Sequence, residues 1–259
     1  TDGDRQGDAC DKDDDNDSVA EDSENCPKIA NTNQLDRDGD GLGDKCDDPV
    51  PMPGDVAGVL GKDKTGSSVA FAGDFNKDGY GDYIIGIPGF DQSTQVKDAG
   101  RAEVISGKNG AVLASLNGTA AKDALGTAVA GGGDIDNDGY DDVVVGAPNA
   151  GAIKAGSVTI LYGPNGARTG NISGTVAKSA FGTALALGDV NGDNRSDILI
   201  GAPKDDAVAQ GLVDAGSVTV YSGNGLGVLG TPFYGATAKA NAGTSVASGD
   251  TNNDGNADI

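Results

Sequence analysis

A chain of 259 residues with a net charge of −22, 37% hydrophobic residues, six tyrosines, five phenylalanines and no tryptophan can build a core only from short buried strands. It contains no apolar run of ~18 residues that could cross a bilayer as a helix. The absence of histidine excludes histidine triads, imidazole bases and zinc–histidine centres, and an acidic balance without a basic stripe argues against a nucleic-acid partner.

Residues 1–48 hold 17 acids and 5 bases. Counting from Asp13, the residues Asp15, Asp17, Val19, Glu21 and Glu24 fall at positions 3, 5, 7, 9 and 12. Asp36, Asp38, Asp40, Leu42, Asp44 and Asp47 repeat that register, and Asp2, Asp4, Asp8 and Asp11 match its later part. This is the oxygen-ligand spacing of an EF-hand loop, in which position 7 serves through its backbone carbonyl. A hard cation takes about six to eight oxygens, and clustered carboxylates that repel one another when empty become favourable neighbours around it.

Between these copies runs Glu24-Asn25-Cys26-Pro27-Lys28-Ile29-Ala30-Asn31-Thr32-Asn33-Gln34-Leu35-Asp36, followed by Gly43-Asp44-Lys45-Cys46-Asp47. The segment resembles the thrombospondin type 3 repeat. That resemblance implies an irregular chain wrapped around calcium, about two or three ions here, with Cys26 paired to Cys46. Cys10 aligns with Cys46, so its partner would precede Thr1. Disulfides and weak calcium sites together imply an oxidising, calcium-rich extracellular compartment. Residues 49–54 alternate proline and read as a short polyproline spacer.

From residue 55 to 259 the same pattern returns, in units of about 55–116, 117–172, 173–234 and a partial 235–259. A small-residue strand opens each unit, as in Gly66–Gly73, Gly126–Gly131, Gly182–Gly188 and Gly243–Gly249. A nine-residue acidic loop follows. Its oxygen positions 1, 3, 5, 7 and 9 are Asp74, Asn76, Asp78, Tyr80 and Asp82, then Asp134, Asp136, Asp138, Tyr140 and Asp142. The third loop has Asp189, Asn191, Asp193, Arg195 and Asp197, and the fourth has Asp250, Asn252, Asp254, Asn256 and Asp258. Of the 23 acids beyond residue 48, 14 lie inside these loops, where a cation would offset them. Next come a continuous apolar strand such as Asp197–Ile200, an alternating strand such as Ala155–Gly163 or Ala215–Gly223, and a less regular closing strand near Val112–Leu116. Four strands per unit describe a propeller blade.

Phe181-Gly182 with Gly201-Ala202-Pro203, bracketing an acidic loop, resembles the FG-GAP repeat of the integrin α-subunit β-propeller. Leu125-Gly126 and Ala242-Gly243 depart from it, as do Gly86-Ile87-Pro88 and Asn194 in place of the usual glycine, though asparagine tolerates a positive φ. The resemblance implies an all-β propeller, three full blades and a partial fourth in this chain, with about four calcium ions, one per loop. Integrin-type rings need more blades, and Val56–Leu60 aligns with the closing strands. The expectation is therefore a segment of a longer polypeptide, or one assembled with other copies. Gly66-Ser67-Ser68 hints at a nucleophile elbow, but alanine replaces Ser68 in sister units, and Gly61-Lys62-Asp63-Lys64-Thr65 lacks P-loop spacing. The expected function is a non-enzymatic calcium-binding recognition or adhesion module, secreted or on a cell surface, with a protein or glycan partner. The alternatives are a non-catalytic segment of a larger secreted hydrolase or lyase, and a structural subunit of a surface layer or filament.

Overall fold

The computed structural model describes residues 13, 15–20, 23–34, 43, 45–46 and 62–259. Outside them lie the ligand candidates Asp2, Asp4, Asp8, Asp11, Glu21, Asp36, Asp38, Asp40, Leu42, Asp44 and Asp47, the spacer 49–54 and the segment Val56–Leu60. The chain divides into two compact units, Thr1–Asp55 with Lys108–Gly110, and Val56–Gly107 with Ala111–Ile259.

The second unit holds three four-stranded antiparallel sheets, each a simple meander. Strands β1 (Ser68–Gly73), β2 (Asp82–Ile87), β3 (Arg101–Ile105) and β4 (Val112–Asn117) form the first. Strands β5 (Ala128–Gly133), β6 (Asp142–Ala147), β7 (Ser157–Leu161) and β8 (Thr169–Ser173) form the second. Strands β9 (Ala184–Gly188), β10 (Asp197–Ala202), β11 (Ser217–Tyr221) and β12 (Val228–Tyr234) form the third. These are the expected propeller blades. Every residue of β6 and β10 is buried, which is why those strands read as unbroken apolar runs.

Small residues let the first strands of successive blades approach: β5 sits beside both β1 and β9. A Cβ on Gly131 would stand 3.0 Å from Ala72 Cα and from Phe71 O. Apolar side chains fill the seams, with Ile84, Val104, Val143 and Val145 in one cluster and Val144, Ile160, Ile198 and Ile200 in the next. On β1 the positions of Val129 and Gly131 are taken by Val69 and Phe71, which are 59% and 65% exposed.

The seams also give the repeat's two glycine motifs a physical meaning. The N–H of Gly66, Gly126 and Gly182 donates to the carbonyl of Gly86, Gly146 and Gly201 in the same blade, at 3.1, 2.9 and 3.0 Å. Across each seam, a Cβ on Gly86, Gly146 or Gly201 would come within 2.0–2.1 Å of the carbonyl oxygen of Gly126, Gly182 or Gly243 in the next blade.

One expectation fails. Gly243–Gly249 forms no strand, and the fourth repeat shows only isolated bridges, one between Gly249 and Asp258 and one from Ala242 back to Gly216. In the sister blades this strand pairs with the residues that begin at loop position 9.

Candidate metal centres

All four propeller loops and the described residues of the Asp13 loop share one pair of left-handed turns. Positions 4 and 6 are left-handed in each: Asn16 and Ser18, Lys77 and Gly79, Asn137 and Gly139, Gly192 and Asn194, Asn253 and Gly255, with φ between 58° and 89°. The third loop exchanges the usual order of glycine and asparagine, so Asn194 takes the position-6 geometry at φ 62°. These turns aim backbone N–H groups at the acids. The position-5 N–H donates to the first carboxylate's Oδ1 at 2.9–3.1 Å, and the position-6 N–H to its Oδ2 at 2.8–3.0 Å. The N–H of the position-7 residues Val19, Tyr80, Tyr140, Arg195 and Asn256 donates to the position-5 carboxylate at 2.8–3.0 Å.

The structure therefore draws positions 1, 5 and 7 of every described loop together. Carboxylate oxygens of Asp13, Asp15 and Asp17, and of Asp134, Asp136 and Asp138, lie within 4.8 Å of one another. Asp15 Oδ2 and Asp136 Oδ1 are buried and accept no hydrogen bond. Unsatisfied buried oxygens in an all-oxygen donor set fit a hard divalent cation such as calcium and do not suit a soft metal. Position 3 is Asn76, Asn191 or Asn252 in three propeller loops; Asn76 and Asn252 accept the N–H of Asp78 and Asp254, whereas Asn191 bonds Asp197 through its amide nitrogen. Where Asp136 adds a charge, Arg168 pairs with it, lying 3.9 Å from Asp138 and 4.2 Å from the Tyr162 ring. Glu24, at position 12, is half-buried.

Position 9 does a second task. Asp82, Asp142 and Asp197 are buried. Each clips the loop to the blade, accepting the N–H of Phe75, Ile135 or Val190 on one oxygen and of Gly107, Gly163 or Gly223 on the other, at 2.8–3.1 Å. Asp258 accepts both the N–H and the hydroxyl of Thr251. A second lone pair on each oxygen stays available to a cation. Position 2 is the matching apolar plug, with Phe75 and Ile135 wholly buried. Sequence reading passed over this anchoring, although an apolar residue at position 2 and a glycine after the third strand repeat in every full blade. Loops of adjacent blades also touch: Asp74 N–H donates to Asp141 Oδ2, Ser196 N–H to Asp134 O, and Ala257 N–H to Asp189 O, at 2.7–2.9 Å.

Burial pushes the Asp142 carboxyl up to about 7; Asp134 and Asp138 add to the shift, and the Gly163 and Ile135 N–H groups oppose it. Burial likewise raises Asp82 and Asp197. The unfolded chain releases this proton near its ordinary value of 3.8, so between there and about 7 the folded state binds more protons, and stability falls as pH rises. In chelator the melting temperature should be lower at pH 8 than at pH 5, and Asp142→Asn should flatten the dependence. A midpoint that climbs across this interval contradicts the assignment.

In the first unit, Asp17 Oδ2 accepts the Asn31 N–H at 2.6 Å, and Asn25, Asn31 and Gln34 bond one another. Cys26 and Cys46 form a disulfide with Cα atoms 5.4 Å apart, as the resemblance implied.

The thrombospondin type 3 repeat family matches residues 1–34, and the FG-GAP repeat family matches residues 65–104, 125–161 and 181–221. Over 164 residues the chain is 37% identical to integrin alpha pat-2 of Caenorhabditis elegans, covering 54% of this chain and 13% of that protein. It is 30% identical over 177 residues to integrin alpha-V of Gallus gallus, covering 64% and 16%. It is 32% identical over 149 residues to phosphatidylinositol-glycan-specific phospholipase D of Bos taurus, covering 50% and 18%. The chain thus spans less than a fifth of the length of these relatives. A Bacillus licheniformis rhamnogalacturonan lyase superposes with a TM-score of 0.43 at 13% identity over 73% of this chain and 39% of that one, too distant to bear on function. Among the described residues no helix is long and apolar enough to cross a membrane.

Proposed function

We propose that this chain, which joins a thrombospondin type 3 repeat to three FG-GAP repeats, is a calcium-binding recognition module of a secreted or cell-surface protein. The observation that carries the reading is the pair of left-handed turns reached by five different loop sequences, two of which bring the oxygens of three carboxylates within 4.8 Å of one another. Calcium would be held by positions 1, 3, 5, 7 and 9 of the loops that begin at Asp74, Asp134, Asp189 and Asp250, and by Asp13, Asp15, Asp17 and Val19 in the first unit. Bound there, it neutralises the clustered carboxylates and locks the loop against its blade, stiffening the surfaces that meet a protein or glycan partner. The Cys26–Cys46 disulfide supports an oxidising compartment.

Ser68, the candidate nucleophile, accepts the Val129 N–H at 3.1 Å and serves the contact between blades, which supports a non-enzymatic role for this segment. The likeness to a phospholipase D favours a second reading, in which the module is the non-catalytic part of a larger secreted hydrolase.

Calcium titration by calorimetry tests the leading reading. Asp138→Ala should remove one ion and weaken the neighbouring Asp189 loop only modestly through the Ser196–Asp134 bond, leaving the remaining sites filled. Unchanged stoichiometry, or loss of every ion, would contradict it.

A further inference from the structure

The meander sorts charge. It places the acidic loops at one end of each blade, and the β2–β3-type and blade-to-blade connections at the other. At that other end Lys62, Lys122, Lys178 and Lys239 occupy the same position of all four repeats, and all are exposed. Lys97, Lys154 and Lys204, in the connections after the second strands, are exposed as well. Three of the acids there, Asp63, Asp123 and Asp205, are buried, which leaves these seven exposed lysines against Asp91, Asp98, Asp206 and Asp214 on the surface of this end, in a chain of net charge −22.

Lys122, Lys178 and Lys239 are held left-handed, at φ 67°, 61° and 62°, where glycine or asparagine would be less strained. Their N–H groups donate to Lys97, Ile153 and Val213 carbonyls at 2.8, 3.2 and 2.9 Å, which brings the lysines of neighbouring connections to each seam. Lys154, Lys178 and Lys204 line one cavity of about 430 Å³, together with Asp206 and Asp214. Lys154 Nζ also lies 3.7 Å from Asp123, which lines a second groove of about 510 Å³. Its lining sets the neutral hydrogen-bonding side chains of Asn117, Thr119, Thr159, Asn171 and Ser173 beside apolar ones such as Leu116 and Ile153.

We propose that this end is the recognition face, and that its partner is an acidic polysaccharide. Its carboxylate or sulfate groups would lie on the lysines, and its hydroxyls would bond in the adjoining groove. The proposal names a partner for the recognition reading and rests on it, without resting on calcium. Lysine lacks the planar fork of arginine, so this surface suits charge spaced along a polymer better than one shaped anion. The large apolar side chains exposed in these connections, Ile153, Val208 and Val213, are aliphatic, and the exposed aromatics Phe233 and Tyr234 close β12 on one blade only, too few to stack a run of bases. A flat lipid surface could not enter the groove.

The test uses the full chain and immobilised hyaluronate, dextran sulfate and plain dextran at about 0.05 M and about 0.5 M sodium chloride. Binding to at least one anionic polysaccharide is expected, lost at high salt, with none to dextran. Lys178→Gln with Lys204→Gln should weaken it about tenfold, whereas removing the same charge from the opposite end, Lys77→Gln with Lys108→Gln, should leave it within about twofold. Asn171→Ala should weaken polysaccharide binding further. Equal loss in both double variants, equal binding of polyglutamate or of phosphatidylserine vesicles, or no polysaccharide binding at low salt overturns the proposal. Calcium calorimetry on the same samples separates its failure from failure of the calcium reading.

Discussion

Excess chelator should unfold the first unit before the blades and lower the melting temperature of both. Its described residues bury almost nothing apolar: Cys26 is buried, but its companions are Asp17 and Asn31. What remains without calcium is a polar network and a disulfide closing a 20-residue separation, which contributes roughly 3 kcal/mol. A site held at about 1,000 times its dissociation constant contributes about 4 kcal/mol, so emptying even one removes more than the disulfide supplies. The blades keep their seams of valine and isoleucine and should melt later. Hydrogen exchange with and without chelator, resolved by segment, measures both events. Protection that is unchanged around Asp13–Asp17 would rule out calcium as the substitute for a core.

Gly146→Ala should destabilise the propeller unit by about 3 kcal/mol or more. Its new Cβ would stand 2.1 Å from the Gly182 carbonyl oxygen, and since both partners are backbone, neither can turn aside. The second and third blades would have to separate, opening the seam that buries Val144, Val158, Ile198 and Ile200. Gly227→Ala is the control, with nothing within 4 Å of its Cβ and no positive φ. Denaturant midpoints compare the two. If Gly146→Ala unfolds where the control does, the seam is not the close backbone contact described.

The acidic loops and most strand positions were legible in the amino-acid order because their causes are local. A loop that turns through left-handed residues at positions 4 and 6 needs glycine or asparagine there, or a residue that tolerates the strain. A strand covered on both faces reads as an apolar run wherever it occurs. Recognition of the repeat families added the pairing of Cys26 with Cys46, which spacing alone does not establish. Other features arise only when distant residues meet. The second task of Asp82, Asp142 and Asp197 depends on glycines beyond the third strand, which the ladder returns to the loop. The strand expected at Gly243–Gly249 did not form, because a strand is defined by its partner and its own composition cannot supply one. The lysines, scattered from Lys62 to Lys239 and invisible as a stripe, became one surface because antiparallel meanders send alternate connections to the same end. The sequence by itself thus determined the local geometry of each loop and the repeat that carries it. The tertiary structure alone decided which loops touch, which glycines form the seams and where the charge collects, since those contacts join residues tens of positions apart.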